Sequence, residues 1–211
     1  MVKKEIWNVV LAAGNSTRMR DSHKLLKKIE EETILRYSVK KVIVSKAANT
    51  LVVLNHKFLE LENEIADLPV SIVWNHVSTL GISSSLALAI RSLPQTCDAA
   101  MILLADQPEI EVEVMNEVLS TYLCSKKPMV LTSYQGKIRH PILFDKLFFK
   151  ELVTLKGDQG AKSIINANKE KALLHVVQEP APEDIDTFED YMNLLKRRQN
   201  IELYRKTNKT Y

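Results

Sequence analysis

Ile6-Trp7-Asn8-Val9-Val10-Leu11-Ala12-Ala13-Gly14-Asn15-Ser16-Thr17-Arg18-Met19, followed five residues on by Lys24, is the stretch that decides how this chain reads. Ile6 to Ala13 is an almost continuous apolar run with β-branched members, the pattern of a strand buried on both faces. It ends in small residues and a glycine, which let backbone N–H groups turn toward an anion. Arg18 and Lys24 add positive charge to the same loop. A triphosphate needs this combination of close donors and cations that neutralise charge on a leaving pyrophosphate. The loop has neither GxxxxGK[ST] nor GxGxxG, so the P-loop and dinucleotide-binding readings lose their main support. Taken alone, the segment fits an ordinary strand-to-helix turn with solvated Arg and Lys equally well.

Outward from this strand, Thr50 to Asn55, Val70 to Asn75 and Ala99 to Ala105 read as further buried strands. Thr33 to Ser45, Lys57 to Ala66 and Ser83 to Ser92 carry helical spacing, with Ile34, Leu35, Val39, Val42 and Ile43 on one face. This alternation predicts an α/β fold, an open, doubly wound, mostly parallel sheet of Rossmann-like type, in a single domain. In the second half, Pro128 to Tyr134, Pro141 to Phe144 and Lys171 to Gln178 read as strands, with a turn at Gln135-Gly136. Asp186-Thr187 offers an N-cap for a final helix. The domain is expected over residues 1–200, with 201–211 as a basic, polar, solvated tail.

Composition narrows the class. The 211 residues are 45% hydrophobic and 26% charged, the mix of a globular protein able to fold without disulfide or metal. A formal net charge of +3 gives no case for nucleic acid. No apolar run approaches the length of a membrane span, and the basic start does not lead into a signal-peptide core. Cys97 and Cys124 are too few and too far apart for a disulfide framework or a chelating pair. The expectation is a cytoplasmic protein in a reducing compartment. His23, His56, His76 and His175 lack metal-ligand spacing.

Asp106 follows the strand Met101 to Ala105, and in open parallel sheets ligands bind outside the carboxyl ends of strands. A carboxylate there suits Mg²⁺, which takes one or two carboxylates plus phosphates. Asp106 is also compatible with a turn or cap before Pro108.

LAAGxSxRM followed by Lys resembles the amino-terminal signature of the molybdenum-cofactor nucleotidyltransferases. Further pieces follow in order. Gly81-Ile82-Ser83-Ser84-Ser85-Leu86 is similar to the family's serine segment, and Asp106-Gln107-Pro108 to its D-x-P. His140-Pro141 is similar to its G-H-P, and Asp184 to Asp190 to its closing D-I-D-T-P-E-D. The resemblance runs from about Val9 to Asp190. It implies Arg18, Lys24 and Asp106 as catalytic residues, and Asp186 as a second Mg²⁺ ligand beside Asp106. Asp186 also fits a helix cap. The resemblance further implies Leu11, Ala12, Ala13, Gly14, Asn75, Ser83 and Ser84 around the nucleotide. The serines serve equally as helix caps, and Asn75 equally as a turn residue.

On the acceptor side stand Arg139, His140 and Asp158, with a structural histidine and a plain Gly157–Gly160 turn as the alternatives. LAAG, rather than LAGG, is typical of the cytidine users. The implied activity is CMP transfer from CTP to a molybdopterin-type acceptor, with contact to a molybdenum hydroxylase or its maturation factor. Arg20, Leu80 and Arg139 depart from the family pattern; the first two bear on nucleotide preference and the third on the acceptor. The rivals are a sugar- or polyol-phosphate nucleotidyltransferase, a non-catalytic nucleotide- or cofactor-binding protein, and an oxidoreductase on the same scaffold.

Overall fold

The computed structural model describes residues 4–19 and 23–207, the last seven by backbone alone. Arg20 and the end of the expected tail, 208–211, lie outside the described residues.

The elements run β1 (Ile6–Ala12), β2 (Lys28–Ile29), β3 (Glu32–Thr33), α1 (Ile34–Ile43), β4 (Asn49–Asn55), α2 (Glu60–Asn63), β5 (Ser71–Asn75) and α3 (Ile82–Ser92). They continue with β6 (Ala99–Leu104), α4 (Val112–Cys124), β7 (Met129–Tyr134), β8 (Lys137–Asp145), α5 (Phe149–Leu152), α6 (Lys162–Ala167), β9 (Ala172–Val177) and α7 (Phe188–Thr207). A seven-stranded sheet has the order β5-β4-β1-β6-β8-β7-β9, and β2-β3 forms a separate ribbon. β5, β4, β1 and β6 are mutually parallel; β8 runs antiparallel to β6 and β7, and β9 parallel to β7. The fold is therefore α/β with a mostly parallel sheet in one domain, as the alternation predicts.

Residue parity makes the sheet doubly wound. Val10, Ala12, Val52, Leu54, Met101 and Leu103 pack on one face with the apolar sides of α1 and α4. Their neighbours Val9, Leu11, Leu51, Val53, Ala100 and Ile102 pack on the other with α3 and residues of α5 and α6. Both side-chain sets of each strand are apolar because each has a helical layer to meet.

Several expectations change in detail. The helical pattern over Lys57 to Ala66 yields α-helix only at Glu60–Asn63, because most of its turns close by bonds three residues apart, as in Phe58 N–H to Asn55 O and Leu61 N–H to Phe58 O. α4 is a helix that the sequence pattern does not announce, since Glu111-Val112-Glu113-Val114 alternates like a strand before the helical period sets in. β8 starts four residues before Pro141. Its register against β7 shifts between Leu131 and Thr132, so His140 and Pro141 are accommodated in a bulge where the proline has no N–H to donate. The hairpin turn falls at Gln135 (φ 49°) and Gly136 (φ 82°), both in the left-handed region that such two-residue loops use. The final helix extends past the expected boundary at residue 200, to Thr207.

Asn8, 1% exposed, is a polar tie inside the core. Its amide donates to Val42 O (3.1 Å), Ser45 Oγ (3.0 Å) and Thr50 Oγ1 (3.2 Å), joining β1 to the end of α1 and to β4. Asn8→Ala leaves buried acceptors without a donor. It is expected to cost about 1–3 kcal/mol, read as a lower urea midpoint at unchanged m-value.

Candidate active site

The parallel strands run out at one edge. β1 turns back toward one side of the sheet through β4 and β5, whereas β6 lies on its other side, so β1 and β6 flank the point where strand order reverses. The glycine loop leaves β1 here, and Asp106 follows β6.

The loop is fastened from several directions. The His23 ring bonds Gly14 O through Nε2 (3.0 Å) while Nδ1 accepts from Leu25 N–H (3.3 Å), an arrangement that puts the ring proton on Nε2. Lys24 N–H donates to Ser16 Oγ (3.1 Å), and Asn55, at the end of β4, donates to Ala13 O (3.3 Å) and Asn15 Oδ1 (3.0 Å). Ser78 Oγ adds a bond to the same Asn15 oxygen (3.3 Å). The left-handed residue in the loop is Ser16 (φ 49°) and not Gly14, whose missing side chain leaves open space toward the cavity.

From this loop Lys24 reaches inward. Its Nζ lies 2.5 Å from Asp106 Oδ2 and 2.9 Å from Asp186 Oδ1, and Arg18 lies 3.0 Å from Asp186 Oδ2. The Asp106 turn is itself held by Ser38 Oγ donating to Ala105 O (2.8 Å) and by Ile185 N–H donating to Asp106 O (3.0 Å). The helix cap is made without the Asp186 side chain, because Thr187 Oγ1 caps α7 by accepting from Asp190 N–H (3.1 Å). The Asp190 carboxylate answers by accepting from Thr187 N–H (2.7 Å), so the helix start is a capping box in which Asp186's side chain takes no part.

Burial raises the Asp106 carboxyl above its usual range against the pull of Lys24, and Asp184 and Asp186 add to the rise. Burial also works against the Lys24 charge, yet Asp106 and Asp186 hold its ammonium above the ordinary lysine range. The lysine keeps its proton, and with Arg18 it balances the charge of the two carboxylates. Asp106 Oδ1 is buried with no hydrogen-bond partner. Two carboxylates, one of them with an orphaned hard oxygen, suit a small divalent cation that takes its remaining ligands from phosphates. Among the described residues no group of three or more His, Cys, Asp or Glu forms a metal cage, so such an ion would depend on phosphate oxygens to complete its shell.

One cavity adjoins this cluster at Asp106, and a second adjoins the first. The smaller, about 260 Å³, is lined by Ala13, Gly14, Asn15, Ser78, Ser85 and Asp106 among others. The larger, about 540 Å³, has an apolar floor including Ile102, Ile138, Ile142 and Phe144, and a polar rim including Arg139, His140 and Gln107. Leu11, Ile82, Leu104 and Asp158 belong to both. Burial, reinforced by the Arg139 charge, lowers the His140 imidazole to about 4, so near pH 7 it is neutral and offers one donor and one acceptor.

The expected site residues are thus distributed in a definite way. Arg18, Lys24, Asp106 and Asp186 meet in one cluster, with Leu11, Ala13 and Gly14 in the smaller cavity wall. Arg139, His140 and Asp158 line the larger cavity. The Ala12 methyl packs in the core, so only its main chain is placed to meet a nucleotide. Asn75 spends its amide on Ser84 Oγ and Ser85 Oγ (both 2.9 Å) and accepts from Val77 N–H, so it braces α3 against β5. Ser83 and Ser84 lie inside the first turn of α3 and do not cap it; Gly81 holds the cap position. Leu80 is 62% exposed and lines neither cavity. Sequence reasoning assigns His23, Asn15, Asn55, Gln107 and Asp184 no role of their own, although Asn15, Gln107 and Asp184 stand within the motif segments, Asn55 closes an apolar strand and His23 precedes Lys24.

A MobA-like NTP transferase domain matches residues 8–173. The purine catabolism protein PucB of Bacillus subtilis (strain 168) is 30% identical over 193 residues, covering 87% of this chain and 92% of its own. A homologue of Mycobacterium tuberculosis Rv0371c from Mycobacterium sp. strain JC1 superposes with a TM-score of 0.84 at 26% identity, over 93% of this chain and 98% of that one. Rv0371c from M. tuberculosis H37Rv, solved in complex with manganese, gives a TM-score of 0.80 at 22% identity, over 92% of this chain and 99% of that one.

Gly81 admits no side chain. Its φ is +90°, and a Cβ would stand 2.2 Å from Asp158 Oδ1 and 2.6 Å from the Gly157 backbone. Gly81→Ala is expected to destabilise the protein by at least about 1 kcal/mol and to shift the wall between the cavities. Thermal unfolding, and substrate KM once an assay is in hand, are the measurements.

Proposed function

Because this chain belongs to the MobA-like NTP transferase family, we propose that it transfers CMP from CTP to the phosphate of a molybdopterin-type acceptor, releasing pyrophosphate. The observation that carries the reading is the Lys24–Asp106–Asp186–Arg18 cluster beside two adjoining cavities of different character. The smaller, with the glycine loop in its wall, suits the nucleotide. The larger suits an acceptor with a flat, largely apolar body and polar groups at its edges, and this favours a pterin over a sugar phosphate. CTP is favoured by the LAAG reading of the loop.

In this mechanism an acceptor phosphate oxygen attacks the α-phosphorus in line, and the bond from α-phosphorus to the bridging oxygen of the leaving pyrophosphate breaks. A phosphate monoester is already ionised near neutral pH, its second pKa being about 6, so no general base is needed. Lys24 and Arg18 neutralise charge on the phosphates, and the fastened loop fixes their direction without reorganisation during the reaction. A Mg²⁺ or Mn²⁺ held by Asp106 and Asp186 would add Lewis-acid stabilisation at the phosphate oxygens. Arg139 and the neutral His140 orient the acceptor, and Asp158 stands where both substrates meet. The retained cation–carboxylate cluster speaks against a purely binding role. The dinucleotide product is expected to pass to a molybdenum hydroxylase or its maturation factor. No helix among the described residues is long and apolar enough to cross a membrane, and a cytoplasmic setting suits Cys97 and Cys124, which are free thiols.

Pyrophosphate release with Mg²⁺, comparing CTP, GTP and ATP with and without molybdopterin, tests the reading. Release that needs the pterin and is fastest with CTP is the expected result. Pterin-dependent release fastest with GTP would overturn the base preference, and release with sugar phosphates alone would overturn the acceptor. Asp106→Ala is expected to abolish turnover in a folded protein. Lys24→Ala and Arg18→Ala should each lower kcat/KM by a factor equivalent to about 2–4 kcal/mol.

A further inference from the structure

A separate groove of about 480 Å³ lies where the start of α4 and the ends of β7 and β9 meet. Glu109, Glu111, Glu113, Glu117 and Glu179 line it. Glutamates at the start of a helix are ordinary, because the N-terminal N–H groups favour negative charge, and this accounts for Glu111 and Glu113. Glu117 comes a turn later, and Glu179 belongs to the segment after β9, so neither has that explanation. Lys41 pairs with Glu111 (3.1 Å) and Arg197 with Glu109 (2.9 Å), while His175 Nε2 lies 3.1 Å from a Glu117 oxygen without making a hydrogen bond to it. Among the described residues no cation pairs with Glu113 or Glu179, and the groove keeps surplus negative charge.

Two further observations point to an occupant. Tyr134 is 3% exposed and lines the groove, yet its hydroxyl has no hydrogen-bond partner. Buried hydroxyls are rarely left so. Burial, then the charges of Glu111 and Glu179, push this phenol up to about 12, so it holds its proton beside the carboxylates. The second observation is the strand edge. β9 ends the sheet and pairs on one side with β7, and among the described residues no strand covers its other side. Leu174 is 52% exposed and Val176 57%. Protein edges are usually blunted by lysine, proline or a cover, and Ala172–Val177 contains neither lysine nor proline.

We propose that the groove and the edge of β9 together dock a basic, extended segment of a partner polypeptide, which adds as a strand beside β9 and sets a lysine or arginine in the glutamate groove. Strand addition supplies main-chain hydrogen bonds, and side-chain pockets supply selectivity. The aliphatic stem of the cation lies along Val114, Val176 and Pro180, its charge meets Glu113 and Glu179, and the Tyr134 oxygen accepts one of its N–H groups. A free diamine would meet the carboxylates but leave the strand edge uncovered, so a polypeptide accounts for both features. The inference does not depend on the acceptor proposed above.

Calorimetric titration with short synthetic peptides tests it, one alternating lysine with valine and one alternating glutamate with valine. The lysine peptide is expected to bind and the glutamate peptide not. Glu113→Gln with Glu179→Gln should weaken binding about tenfold or more. Tyr134→Phe should also weaken it, with circular dichroism confirming the fold, and both variants should retain wild-type pyrophosphate release. A backbone N-methylated lysine peptide, unable to complete the strand ladder, should lose affinity. Equal binding of both peptides, or none, overturns the proposal. So does undiminished binding of the N-methylated peptide with full competition by putrescine, which would assign the groove to a small cation. A dimer in light scattering that Val176→Lys dissociates would assign the edge to a second copy, and likewise overturns it.

Discussion

The ammonium of Lys24, between Asp106 and Asp186, is the contact on which the rest of the site is built. It joins residues 82 and 162 positions apart, one on the β1 loop, one beyond β6 and one before the last helix. Without it two carboxylates would face each other at the sheet edge with too little positive charge. Much of the surrounding architecture serves this arrangement. His23 and Ser16 fix where the lysine starts, Ser38 and Ile185 fix the turn that carries Asp106, and the Thr187–Asp190 box leaves Asp186 free to face inward.

The same arrangement implies competition. An ion held through the free Asp106 Oδ1 and an Asp186 oxygen would share these carboxylates with Lys24 and compete with Lys24 or Arg18 for Asp186, and so weaken the hold on that cation. On the proposed reading an incoming phosphate would offer the loosened cation a second partner, and ion and nucleotide would then favour one another.

Much of this was legible in the sequence where a local pattern suffices. Ile6–Ala13, Asn8 apart, and Ala99–Ala105 are continuously apolar because helices cover both faces, and that alone gives strand, sheet type and the edge where Asp106 emerges. The basic loop and the ordered motifs brought Arg18, Lys24, Asp106 and Asp186 into view, and these do converge. What stayed hidden depends on partners distant in the chain. The bulge at Pro141 exists through its register with β7, and the bracing role of Asn75 through α3. α4 was obscured by a strand-like start, and the support from Asn55 and His23 is visible only once the β1 loop folds back on them.

The ridge formed by Leu11, Ile82, Leu104 and Asp158 carries a consequence for turnover. On the proposed reading each separate molecule would be gripped from one side of it, whereas a molecule made by joining the two would straddle it and be gripped from both. Chemistry that links the two chambers would then deepen the well its own product sits in. The pace of such a catalyst would be set at the exit, by whatever loosens one half of the product while the other still holds.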